Sequence, residues 1–116
     1  MTDTNCIVVL VACPLGDTAD ALATALVESR LAACVNRLPG VRSTYRWQGE
    51  VTCDEEALLM VKTTREAYPA LAAFVADHHP YDVPEIVALP VVAGHAPYLD
   101  WVESNVDVSH AALTRS

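Results

Sequence analysis

Residues 6–13 read CIVVLVAC, an unbroken apolar run rich in β-branched side chains. A run this short cannot span a membrane, and its composition predicts a strand buried on both faces. Each face of that strand therefore needs a layer of other residues over it. Pro14-Leu15-Gly16 ends the run. Asp17 then stands as the cap of a first helix, with Asp20 adding negative charge to its first turn. Ala19, Leu22, Ala23 and Leu26 recur at helical spacing, and the helix is expected to run to about Arg30.

A second strand starts within Ala33 to Leu38, and Pro39-Gly40 predicts a bulge or kink in it. Beyond the kink, Val41, Ser43, Tyr45 and Trp47 alternate with Arg42, Thr44, Arg46 and Gln48. That period of two puts the aromatics on one face and the arginines on the other. Gln48-Gly49 signals a hairpin turn, and Val51 to Thr63 returns as the partner strand. Thr64 is the expected cap of a second helix with Pro69 in its first turn, and Leu71, Phe74 and Val75 form its inner stripe. Pro80 stops that helix. Glu85 to Val92 is a fourth strand, and a short last helix carries Tyr98, Leu99, Trp101 and Val102. The tail, residues 107–116, is expected to fray.

The order βαββαβ plus a short C-terminal helix predicts a single α+β domain over residues 1–116, with its core at about 6–105. The expected architecture is ferredoxin-like: an antiparallel sheet with both main helices on one face. The last helix is too short to cover the other face. Apolar residues make up 53% of the chain and charged residues only 19%, so self-association is the simplest cover, with the Tyr45–Trp47 hairpin as the arm.

A net charge of −8 and only seven Lys and Arg exclude a nucleic-acid binder and favour cations as guests. No segment predicts membrane attachment or secretion, so a cytoplasmic location follows as the default. Cys6, Cys13, Cys34 and Cys53 form no CxxC pair and read as reduced, packed side chains. No G-x-S-x-G, H-E-x-x-H or P-loop string is present, so no enzyme activity and no organic cofactor are expected.

Several stretches resemble the CutA divalent-cation-tolerance family. They are Leu31-Ala32-Ala33-Cys34-Val35-Asn36, then Pro39-Gly40-Val41 with Ser43, Tyr45, Trp47 and Gly49, and Lys62-Thr63-Thr64. His79-Pro80-Tyr81, Pro84-Glu85-Ile86, Leu89-Pro90 and Tyr98-Leu99-Asp100-Trp101 complete the set, in order across the domain. The resemblance implies a tight homotrimer with an architecture similar to PII signalling proteins. It also implies association with copper and other divalent cations. Some relatives carry a cysteine in the first strand, discussed as a copper ligand. Here that position falls at about Val11, with Cys13 two residues on along the same strand face.

The stretch HHPYDVPEI, residues 78–86, carries the candidate chemistry. Adjacent helical residues face different ways, so His78 and His79 cannot share a metal while both stay helical. Pro80 pushes His79 toward an extended backbone, which frees it to turn toward a cleft near Asp82 and Glu85. His79, His78 and Cys34 form the candidate set for copper(II) or another divalent cation. The competing reading makes the histidines a helix end and the prolines a turn. Lys62, the only lysine, either holds an anion or pairs with Glu85 or a helix-end carbonyl. Trp47, Lys62, Tyr81 and Glu85 form the candidate cluster for a cleft between subunits. His95 and His110 read as surface residues. Two functions follow: a non-enzymatic trimer that binds divalent metal, or a PII-like regulator or scaffold whose clefts between subunits bind a small anion or a partner protein, with incidental metal binding.

Overall fold

The computed structural model describes residues 3–109. Its elements are β1 (Cys6–Pro14), α1 (Asp17–Glu28), β2 (Cys34–Trp47), β3 (Glu50–Thr64), α2 (Tyr68–His78), β4 (Ile86–Pro90) and α3 (Ala96–Ser104). The four strands form one antiparallel sheet in the order β2-β3-β1-β4. Strand β3 pairs with β1 and not with β4, which follows it in the chain, so each βαβ unit is split by a strand of the other. This is the ferredoxin-like order.

One face of β1 presents Ile7, Val9, Val11 and Cys13. With Ala57, Leu59 and Val61 of β3 they pack against Ala19, Leu22 and Leu26 of α1 and Leu71 and Val75 of α2. Leu59 is fully buried there. On the opposite face, the register aligns Val8 with Lys62 and Leu89, and Leu10 with Met60 and Val87. Only one end of that face is covered, where Val102 and Leu99 of α3 pack on Cys6 and Ala33. Val87 and Leu89 stay exposed, and Val8, Leu10, Leu58 and Met60 are only partly buried.

Past Val41 and Glu56, where the pairing of β1 with β3 ends at Pro14, strands β2 and β3 run on as a two-stranded arm. Their register shifts between Leu38 and Val41, at Pro39-Gly40, where Gly40 has φ 75°. The arm turns at Gln48 and Gly49, both with positive φ. Tyr45 and Trp47 share the face of Glu56, and Arg42 points to the other side toward Cys53.

Three local expectations change. Gly16, with φ 110°, is the N-cap of α1; Asp17 and Asp20 supply negative charge inside its first turn. Thr64 does not cap α2, because β3 stays paired with β1 as far as Thr64 and Cys6; the cap is Ala67, three residues later, and α2 starts at Tyr68. Strand β4 is shorter at both ends than the predicted Glu85–Val92. In the tail, Asp107 is still anchored by its N–H to the Arg30 carbonyl at 2.9 Å. The rest of the expected frayed tail, with His110, lies outside the described residues.

Leu59→Ala should lower unfolding free energy by about 2–5 kcal/mol, because a fully buried Leu leaves a cavity between sheet and helices. Urea unfolding followed by circular dichroism measures it.

Candidate functional site

The backbone of His79 is extended, with φ −83° and ψ 140°, as Pro80 requires. The ring does leave the helix line, but it turns inward. Its Nε2–H donates to the Ala12 carbonyl at 2.7 Å, and its Nδ1 accepts the Tyr81 N–H at 3.1 Å. Only the neutral ring can make both bonds, and neither nitrogen is left for a metal. The residue is buried, with 7% exposure. His79 thus pins the α2–β4 loop to β1.

His78 stays helical and exposed. It stacks on Phe74 at 4.1 Å and donates Nδ1–H to the Phe74 carbonyl at 2.8 Å. Its Nε2 remains available to solvent. Cys34 lies at the far end of the sheet, paired with Lys62, which in turn pairs with Val8. That row is four residues along β1 from Ala12, about 13 Å at the usual strand rise. The expected metal set is therefore not assembled within the chain, and no three His, Cys, Asp or Glu side chains among the described residues lie close enough to share an ion. Cys13 is no substitute ligand. It is fully buried against the helices, and burial pushes its thiol up to about 11.

The cleft residues separate in the same way. Trp47, Tyr81 and Glu85 converge on one cavity of about 650 Å³, between the arm and the α2–β4 loop. Tyr45, Glu56 and Asp82 line it as well. The Tyr81 hydroxyl donates to Glu56 Oε2 at 3.0 Å, and the Tyr45 hydroxyl bonds Asp54. Lys62 is not part of this cavity. It bonds Asn36 across β2 and β3 on the open sheet face and does not pair with Glu85. Close by, burial first and then the neighbouring Cys34 thiol raise the Tyr98 phenol.

Glu56 is the site residue that sequence reasoning missed. It sits in an acidic stretch, Asp54-Glu55-Glu56, that reads as a solvated strand start. The period-two alternation through Leu58, Met60 and Lys62 was the available signal, since it places Glu56 on the open face.

Fold and site together define a small α+β protein with a split βαβ sheet, one open apolar sheet face and an acidic, aromatic cleft beside its hairpin arm. The family model described as CutA1 divalent ion tolerance protein matches residues 7–105, and the chain belongs to that family. The divalent-cation tolerance protein CutA of Thermus thermophilus is 57% identical over 98 residues, covering 84% of this chain and 95% of that protein. Human protein CutA is 50% identical over 104 residues, covering 90% of this chain but 58% of that protein, so the chain spans little over half its length. The solved structure of the Thermus thermophilus divalent cation tolerance protein superposes with a TM-score of 0.86 at 55% identity, over 88% of this chain and 99% of that one. No helix among the described residues is long and apolar enough to cross a membrane.

Removing His79 should cost about 1–3 kcal/mol, because His79→Ala strands the Ala12 carbonyl and the Tyr81 N–H, whereas His78→Ala should stay within about 0.5 kcal/mol. Denaturant midpoints of the two variants give the comparison. The Tyr81 phenol is pushed up to about 12, by burial first and then by the Glu56 carboxylate. Its folded value lies above the ordinary 10.0, so the linked stabilisation is complete below pH 10 and is lost as pH rises through 12. Ultraviolet titration should show one phenol ionising near 12, and Tyr81→Phe should remove it.

Proposed function

We propose that this chain works as a non-enzymatic, cytoplasmic homotrimer in divalent-cation tolerance, and that its ligand site is the hairpin cleft. The observation that carries this reading is the contrast within one chain. Six side chains and a cavity meet beside the arm, while the expected metal ligands stay apart. Neighbouring copies cover the open face of Val8, Leu10, Met60, Val87 and Leu89, as a buried apolar sheet requires. Lys62 and Asn36 then become interface residues at the α3 end of that face, and Trp47, Tyr81 and Glu85 keep the cleft. A reducing compartment suits four unpaired cysteines. Catalysis by a Cys34–His79 pair has no support, since the two lie at opposite ends of β1 and both His79 nitrogens are engaged.

Copper(II) is the second reading, favoured by the open Nε2 of exposed His78. A single imidazole makes a weak surface contact without a chelating set. Copper(II) titrated into chelator-stripped protein should bind weakly and without integral stoichiometry, and His78→Ala should only reduce the heat. One tight site per subunit or per trimer, lost in His78→Ala, would establish the metal reading instead. Assembly is tested on the open face. Met60→Glu and Leu89→Asp each place a charge in the proposed interface, where desolvation costs several kcal/mol per ion. Both should shift the sedimenting species from trimer to monomer, and an unchanged trimer in both would reject this face as the interface.

A further inference from the structure

We infer that the hairpin cleft takes a small organic cation, of the amine or guanidinium class. The inference rests on the cleft reading above and names the chemistry of its ligand. A volume of about 650 Å³ is in the range of small-molecule pockets. Its lining holds three aromatic rings, Tyr45, Trp47 and Tyr81, and three carboxylates, Glu56, Asp82 and Glu85. Among the described residues of the chain, no lysine, arginine or histidine lines the cavity. An anion would meet only like charge there. A bare metal ion fails differently, because no three acidic, thiol or imidazole groups among the described residues are close enough to hold one. Carboxylates spread around a cavity suit a larger cation, one whose charge meets several of them while its apolar body lies on ring faces. Trp47 is 56% exposed and Tyr45 41%, so both offer surface for that contact.

Glu56 gives the site its direction. It is 7% exposed, yet only Oε2 has a partner, the Tyr81 hydroxyl. No buried side-chain oxygen among the described residues lacks a hydrogen bond, so the unpartnered Oε1 keeps its access, and the cavity is what Glu56 lines. A carboxylate oxygen set this deep and left open calls for a donor, and a cationic N–H supplies the strongest one. Tyr81 orients the carboxylate through the other oxygen, and His79 fixes Tyr81 through its backbone N–H.

The test uses the full-length protein with Trp101→Phe, which leaves Trp47 as the only fluorescent tryptophan. The probes are 2-phenylethylamine and agmatine, against neutral 2-phenylethanol and anionic phenylacetate. Both cations should quench Trp47 saturably, and 2-phenylethanol should bind at least about tenfold more weakly, a gap of 1.4 kcal/mol. Phenylacetate should not bind. Glu56→Gln keeps an acceptor for Tyr81, and Glu85→Gln alters an exposed side chain; each should weaken the cations about tenfold or more while circular dichroism stays unchanged. Equal binding of the cations and the alcohol, or tighter binding of phenylacetate, overturns the charge class and leaves the cleft as a ligand site. Failure of all four probes, with Trp47 emission unmoved, overturns the inference and the cleft reading together.

Discussion

Strand β1 is apolar toward both sides, and the chain covers only one of them. Helices α1 and α2 seal Ile7, Val9, Val11 and Cys13. The alternate positions, Val8 and Leu10, look out with Met60, Val87 and Leu89 onto a face that α3 reaches only at its Cys6 end. A hydrophobic sheet face of this kind is stable in water when something dry lies on it. The arm adds to the demand. It carries Tyr45, Trp47 and Val51 well exposed on a two-stranded ribbon, which is marginal without packing of its own. The trimer proposed above would cover the open sheet face with further copies of the same chain.

The same strand also organises the site. Ala12 offers its carbonyl to His79, His79 accepts the Tyr81 N–H, and the Tyr81 hydroxyl reaches Glu56 on β3. This chain of hydrogen bonds runs from the core strand through the α2–β4 loop and back to the sheet. It makes His79 a positioning residue for the cleft, and the cost of that role is that its ring nitrogens are consumed. The histidine pair that looks like a metal motif thus divides its labour: His79 holds Tyr81 and the α2–β4 loop in place behind the cavity, and His78 faces solvent beside Phe74.

Much of the fold was legible because local signals and burial agree. The CIVVLVAC run, the Gln48-Gly49 turn and the Pro39-Gly40 kink all appear where the residues place them. Pro80 also releases His79 from the helix as its steric effect requires. The errors come from long-range partners. Thr64 reads as a cap but is held in β3 by Cys6, far away in sequence. Glu85 and Lys62 look like an ion pair until the register puts them at opposite ends of the sheet. His79 was expected to leave its helix, and did so, but its direction depended on a free carbonyl at Ala12 that no local pattern announces. Glu56 was hidden because one acidic residue in a charged stretch shows its burial only through the strand across from it.

Small-angle X-ray scattering on the unmodified protein tests most directly whether the open face is covered by other copies. A compact chain of this length has a radius of gyration of about 13 Å; this one, stretched by its arm, has a Cα value of 14.8 Å. Forward scattering should give three times the 12.5 kDa of one chain, with a radius of gyration clearly above 14.8 Å, at every micromolar concentration measured. A particle of 12.5 kDa whose curve fits the single chain would contradict it, and would mean that the apolar face stands in water uncovered.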